Sequence, residues 1–208
     1  MMFYDYYAEV PEDELRAFVT QQQLGRLVTA SADGQPHIGL YPFIFLGDRI
    51  EMHLHRNDEQ LADLTTNPRC AFEVDEVLGS IPSHWVHATN AMFATAYHRA
   101  VIFECEAAVS GEGEVLAAQQ QRLMQHYQPE GAHAPVTADH AMYRGAFKEI
   151  RALTLTVRAR KVKWKLGQNR KPEQLQKLIG ELRRRGRATD AAAADALQWS
   201  LDRETAKQ

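Results

Sequence analysis

Leu153-Thr154-Leu155-Thr156-Val157 alternates apolar and polar side chains, and the same run leads on to Lys165-Leu166-Gly167-Gln168-Asn169-Arg170 and then to Pro172. Alternation with period two is the mark of a half-buried strand, and Pro in the first turn is a helix-start signal. The passage therefore reads as a strand, a polar loop and a helix over Pro172–Arg185. A helix N-terminus presents unpaired N–H groups and the positive end of a dipole, which suits an anion. Gln168 and Asn169 can both donate and accept, and Arg170 brings a planar fork matched to phosphate. A polar helix cap with no ligand is the plain alternative for these residues, and the rest of the chain has to decide.

Upstream, the pattern is a series of short strands. Pro11 and three acids open a helix whose Leu15, Phe18 and Val19 share a face, ending near Leu24-Gly25. Residues 26–32 read as a strand and Asp33-Gly34 as a hairpin turn. Residues 35–46 read as one longer strand, with Pro36 and Pro42 placing it at an edge or a bulge. Gly47-Asp48 turns the chain into a third strand, 49–55, where Ile50, Met52 and Leu54 alternate with Glu51, His53 and His55. A short helix over 58–64 and a strand over 69–74 follow, and 76–90 reads as irregular. Residues 92–110 are two strands or one bent strand, 112–127 a helix, and 139–143 a short helix. The strand from 150 to 158 extends on through Val162 and Trp164. Helices 172–185 and 190–204 close the chain, parted by Gly186. Six strands with tight turns and helical crossovers predict an α+β fold, mainly β: a six-stranded antiparallel barrel with peripheral and C-terminal helices. The expected division is a barrel domain over 1–170 and a helical extension over 171–208, packed on the barrel or on a dimer partner.

With 208 residues, 45% of them hydrophobic and 25% charged, the chain fits one ordinary globular domain. Cys70 and Cys105 make neither a disulfide framework nor a zinc pattern, which points to free thiols in a reducing compartment. The first ten residues are acidic and aromatic, unlike a signal peptide, and no apolar run approaches a membrane span, so a cytoplasmic location is expected. The net charge of −3 hides an asymmetry. Residues 158–187 hold twelve Lys/Arg against Glu173 and Glu181, a net +10 that leaves −13 on the remainder. Such a segment suits an acidic partner: a phosphorylated ligand, a nucleic acid or another subunit.

Several common chemistries lack their motifs. His53 and His55 share a strand face, but no further ligands accompany them, so no metal site is expected. Arg56-Asn57-Asp58-Glu59-Gln60 leads from a strand into a helix start, a second natural phosphate position. His84 and His87 flank Trp85, and His126, His133 and His140 sit in or beside a Gly/Pro loop without a common face. Nothing here requires heme ligation by a histidine, though the number of histidines allows it. No G-x-S-x-G elbow, P-loop or G-x-G-x-x-G occurs.

Taken in order, these pieces resemble the PaiB family within the pyridoxamine 5′-phosphate oxidase-like FMN-binding split barrels. The resemblance runs from about residue 4 to 182. It rests on Leu24-Gly25-Arg26-Leu27-Val28-Thr29 before the hairpin, His53, Gln60, Ser83 and Trp85 in Ser83-His84-Trp85-Val86, Thr95, and Lys165 to Arg170. It implies a homodimer with FMN in a groove at the subunit interface. His53, Leu54 and His55 would border the flavin or its ribityl chain, and Arg56 and Gln60 would face the phosphate. Ser83, Trp85 and Thr95 would approach from the partner side, and Gln168, Asn169 and Arg170 would close the site. Ala96-Tyr97-His98 follows Thr95 where family members often carry aromatic and amide residues, which puts the ring or substrate side of the pocket in question. The implied activity is that of a flavin-dependent oxidoreductase of unknown substrate, with no catalytic residue assigned. Two other functions stay open: a negative transcriptional regulator binding DNA, and a heme-binding split barrel.

Overall fold

Two helices precede the first strand in the computed structural model, which describes residues 4–206. These are α1 (Asp5–Ala8) and α2 (Glu12–Gln21), the second carrying three acids in its first turn and burying Leu15, Phe18 and Val19. Then come β1 (Leu24–Ala30), β2 (Pro36–Pro42), β3 (Ile44–Phe45), β4 (Arg49–His55), α3 (Glu59–Thr66) and β5 (Arg69–Ile81). Two 3-10 turns, Ser83–Trp85 and Ala91–Phe93, lead to β6 (Thr95–Ser110), α4 (Gly113–Tyr127), α5 (Arg144–Glu149) and β7 (Ile150–Lys165). The helices α6 (Pro172–Arg185) and α7 (Asp190–Ala206) follow.

The strands form one seven-stranded sheet in the order β2-β1-β5-β6-β7-β4-β3. The pairs β1/β2, β1/β5, β3/β4 and β4/β7 are antiparallel. The order is open, with β2 and β3 at its ends. The expected α+β class holds, but the strand count is seven rather than six. The long strand expected over 35–46 breaks at Phe43, whose ring is buried and whose backbone is held from outside the sheet. The Tyr127 hydroxyl receives the Phe43 N–H at 2.9 Å and lies 2.9 Å from the Phe43 carbonyl.

Other expectations need smaller corrections. The strand expected to stop at Val74 continues as β5 to Ile81, so the first part of 76–90 is not irregular. Charged Asp75 and Glu76 interrupt the apolar alternation, but Arg99 Nη1 meets Glu76 Oε2 at 3.1 Å, so that charge is accommodated in the sheet. Residues 95–110 are one long strand. The short helix expected over 139–143 is a turn, and the helix lies at Arg144–Glu149. The strand β4 and the helix α6 have the boundaries read from the sequence.

The chain divides into two compact units, and each has its own core. One comprises Glu12–Val74 and Ile102–Arg160. Its core includes Leu27, Ile50, Met52, Leu54, Phe72, Phe103, Leu116, Leu153 and Leu155. Two buried acids within it are paired. Glu51 lies 3.1 Å from Arg49 Nε and 2.8 Å from Arg122 Nε. Asp63 accepts from Thr29 Oγ1 at 2.5 Å and contacts His37 Nδ1 at 2.8 Å.

The other unit comprises the chain up to Pro11, Asp75–Val101 and everything from Lys161. Its core joins Leu78, Tyr97, Val101, Trp164 and Leu166 to Leu175, Leu178 and Leu182 of α6 and Ala193, Leu197 and Leu201 of α7. Asp190, at the start of α7, is 1% exposed. It accepts from Arg185 Nε at 2.8 Å, from Arg185 Nη2 at 2.5 Å and from the Arg187 N–H at 2.9 Å. The guanidinium beside it holds the Asp190 carboxyl below the usual carboxylate range. Among the described residues, no helix is long and apolar enough to cross a membrane.

Removing one partner of a buried, hydrogen-bonded ion pair leaves the other charge without compensation. Asp190→Ala should therefore lower unfolding free energy by about 3 kcal/mol, read from urea denaturation at pH 7. The hydrogen bond to Asp63 raises the His37 pKa above the ordinary histidine value of 6.5, burial opposing it. The stabilisation from that pair is then fully present below pH 6.5 and is lost as pH rises through the raised value. His37→Gln should flatten the pH dependence of stability across that window, and an NMR titration of the ring should show the raised midpoint.

Candidate anion-binding site

The loop between β7 and α6 is shaped by its own side chains. Gln168 Oε1 accepts from the Leu166 N–H at 2.8 Å, and its Nε2 donates to the Trp164 carbonyl at 2.5 Å. The Arg170 N–H closes a turn onto the Gly167 carbonyl at 2.8 Å. Gly167 has φ +83°, and a Cβ there would fall 2.7 Å from Leu175 Cδ2, so both backbone and packing call for glycine. The turn aims Asn169 and Arg170 to one side. Lys171 caps α6 without a side-chain hydrogen bond, and Pro172 takes the first helical position.

That side is a cavity of about 470 Å³. Its wall is built by Lys165, Gly167, Asn169, Arg170 and Gln174, by Thr95 and Tyr97 of β6, by Tyr7, and by the segment Met92-Phe93-Ala94. All belong to the unit that contains α6 and α7. No Asp or Glu lies on the wall. Two cations, Lys165 and Arg170, thus face the cavity with amide and hydroxyl donors beside them, a set suited to an anion.

Burial, then the charges of Lys163 and Arg170, lower the Lys165 pKa. Its Nζ donates to Thr95 Oγ1 at 2.6 Å, which fixes the head of an otherwise flexible chain. Tyr97 is buried and its pKa is raised by that burial, with the Arg170 charge acting in the other direction. Its hydroxyl is enclosed and has no hydrogen-bond partner of good geometry among the described residues, and Arg170 stands close enough to act on it. Burial and the neighbouring tyrosines push the Tyr7 phenol up to about 12, and Arg170 again opposes the shift. Both phenols are therefore neutral hydroxyls near neutral pH.

The residues singled out from the sequence do not all gather here. Thr95, Asn169 and Arg170 line the cavity. Gln168 does not, because its amide is spent on the loop backbone; it borders a smaller hollow with Trp199 and Ser200. Ser83 and Trp85 lie in a 3-10 turn, where the Ser83 carbonyl accepts from the N–H groups of Val86 and His87. Trp85 lines a different cavity, with Arg184 and Arg185.

His53, Leu54, His55, Arg56 and Gln60 belong to the other compact unit. Leu54 is core. His53 is half-buried, its Nδ1 lies 3.0 Å from Gln120 Nε2, and burial lowers its pKa, which leaves the ring neutral at pH 7. His55 is exposed, and its Nδ1 accepts from the Asn57 N–H at 3.2 Å. Arg56 Nε pairs with Glu149 at 3.0 Å.

Gln60, 1% exposed, donates to the Leu27 carbonyl at 2.9 Å, and its Oε1 lies 2.7 Å from the Tyr41 hydroxyl. A Cβ at Gly39 would sit 2.2 Å from that Oε1, so strand and glutamine are fitted to each other. The start of α3 is also capped already, because Asp58 Oδ1 accepts from the Gln60 N–H at 3.0 Å. The structure therefore places Gln60 inside the protein and not beside Arg56 on the surface.

Tyr7, Tyr97 and Lys165 enter the site from outside the set of candidates. Tyr97 falls in the departure Ala96-Tyr97-His98, where alternation turns it inward between an exposed Ala96 and a half-buried His98. The sequence signal for Lys165 is its position two residues before Gly167. Tyr7, far upstream, carries none.

Solved structures with a similar backbone share little sequence with this chain. A FAD- and heme-binding protein from Mycobacterium smegmatis matches with a TM-score of 0.61 at 14% identity, covering 74% of this chain and 71% of its own. The flavocytochrome Anf3 from Azotobacter vinelandii matches with a TM-score of 0.59 at 15% identity, covering 74% and 67%. The heme storage protein HutZ from Vibrio cholerae matches with a TM-score of 0.50 at 16% identity, covering 73% and 94%. These likenesses show the fold, the split barrel that flavin- and heme-binding proteins use. No curated protein matches the chain. The family model described as "Putative FMN-binding domain" matches residues 1–159, most of the chain. The chain belongs to that FMN-binding family, and FMN is the cofactor it is built for.

Proposed function

We propose that this chain is an FMN-dependent oxidoreductase of the PaiB kind, a cytoplasmic homodimer, with the FMN phosphate held by Lys165 and Arg170. The observation that carries this reading is the cavity wall with two cations, donor side chains and no carboxylate. A dianionic phosphate fits that set, because Arg offers a fork and Lys a point charge, and no acid competes. Asn169, Gln174 and the Thr95 hydroxyl are the neutral polar groups beside it. Phe93, Tyr97 and Tyr7 give the wall an aromatic part, as a flat ring needs.

Bound FMN supplies reversible electron and hydride transfer. The protein's part is to bind, orient and shield. Neutral Tyr7 and Tyr97 line the cavity without adding negative charge, so the field of Lys165 and Arg170 is kept for the ligand. By resemblance, His53, Leu54 and His55 border the flavin or its ribityl chain and Arg56 faces the phosphate, with Thr95 approaching from the partner side. Gln168 holds the loop before α6 in shape, and Gln60 holds β1 within its own unit. Trp85 lines a separate cavity, and Ser83 lies in the same 3-10 turn. No residue is assigned a catalytic role.

Two other readings keep a specific basis. Heme is named for the M. smegmatis and V. cholerae proteins of similar fold. A DNA-binding regulator draws on the basic 158–187 segment.

Titrations with FMN, hemin and duplex DNA separate the three. Purified protein should bind FMN with quenching of flavin fluorescence. Arg170→Ala should weaken that binding by roughly tenfold or more, since a hydrogen bond to a charged group is worth about 1.5–3 kcal/mol. Circular dichroism should stay unchanged. Unaltered FMN affinity in Arg170→Ala and Lys165→Ala would remove the phosphate from this cavity. A Soret band with hemin and no FMN binding would favour heme, and salt-sensitive binding to duplex DNA alone would favour the regulator.

A further inference from the structure

The unit that contains α6 and α7 has a second cavity of about 470 Å³, at the C-terminal end of α6. One side of its wall is apolar, from Ile81, Pro82 and Trp85. Arg184, Arg185 and Arg187 supply its cationic part, Ser80 and His84 complete it, and no Asp or Glu lines it among the described residues. Neither the cavity near Lys165 nor the proposed FMN site uses any of these residues.

This wall is built rather than merely solvated. The Arg185 guanidinium is locked by both Asp190 oxygens and by the Ser80 carbonyl, which accepts from Nη2 at 2.8 Å. It stands 4.8 Å from the centroid of the Trp85 ring. Its Nη1 takes part in none of these bonds. Arg184 is tethered on its own helix by Glu181. Arg187 gives only its backbone N–H to Asp190, and its side chain makes no ion pair among the described residues. A guanidinium fixed by Asp190, a second tethered by Glu181, a third without an ion pair among the described residues and an apolar floor favour a ligand with clustered negative charge next to a flat, weakly polar ring. Arginine suits both halves, since its fork pairs with phosphate and its plane stacks on rings.

We propose that this cavity binds a nucleoside phosphate, the phosphates on Arg184 and Arg187 and the base against the Pro82 and Trp85 side. The site is distinct from the FMN cavity and stands whether or not FMN is held by Lys165 and Arg170. The nucleotide is a free small molecule in this reading. A nucleic-acid backbone would also seek the arginines, but it has no need of the apolar half of the wall.

Isothermal titration of the FMN-loaded protein with ADP tests the assignment, with adenosine, inorganic phosphate and a duplex DNA titrated alongside. ADP should bind, and adenosine and phosphate should each bind at least roughly tenfold more weakly, because each offers only half of the ligand. The double variant Arg184→Ala/Arg187→Ala should weaken ADP by roughly tenfold or more while leaving FMN affinity and melting temperature unchanged. Arg185 is left intact because its loss would unsettle the fold. The proposal is overturned if ADP does not bind, if phosphate alone binds as well as ADP, or if the double variant binds ADP normally. It is equally overturned if duplex DNA displaces ADP with a steep dependence on salt, which would make the patch a nucleic-acid surface. An independent failure of FMN to bind would appear in the loading step and would leave the ADP result readable.

Discussion

The pair formed by Arg185 and Asp190 ties together the unit that contains α6 and α7. A carboxylate buried at the start of α7 is tolerable only because a guanidinium meets both its oxygens and a backbone N–H completes its shell. Satisfying it joins the end of one C-terminal helix to the beginning of the next. The same guanidinium reaches the Ser80 carbonyl and lies against Trp85, so the end of β5 and the turn after it are tied to that junction. The inner faces of α6 and α7 then pack Leu175, Leu178, Leu182, Leu197 and Leu201 into one core.

Charge is handled in opposite ways in different parts of the chain. Buried acids such as Glu51, Asp63 and Asp190 each have a close basic or hydroxyl partner, as burial demands. Lys165 and Arg170 instead share a cavity whose wall carries no carboxylate. Burial lowers the Lys165 pKa first, and the charges of Lys163 and Arg170 lower it further. An anionic ligand offsets those charges. This is the physical sense in which the cavity wall suits an anion.

The local parts of this fold were legible because they depend on neighbours in sequence. The boundaries of β4 follow from its alternation, and α6 starts at a proline. The polar loop at Lys165 to Arg170 could be read as an anion site, and Arg170 does line the cavity. Gln60 shows where such reading stops. Its place at a helix start suggested a phosphate, yet Leu27, Thr29 and Tyr41, all distant in sequence, draw its amide inside. Gln168 is engaged by nearer partners, since its amide folds back on its own loop. Residues 35–46 read as one strand because nothing local reveals that Tyr127 holds the backbone at Phe43.

By itself, then, the sequence determined the α+β class, the strand–loop–helix passage at 150–185, the basic character of that segment and the membership of an FMN-binding family. Periodicity, turn residues and charge are properties of the chain read in order, and they survive without knowledge of what lies opposite. Only the tertiary structure decided which polar groups are free to meet a ligand. It brought Tyr7 and Tyr97 to the wall shared by Lys165 and Arg170, and it engaged the amides of Gln60 and Gln168 in internal hydrogen bonds. A side chain's availability depends on which partners folding has already given it, and those partners come from parts of the chain that no local pattern connects.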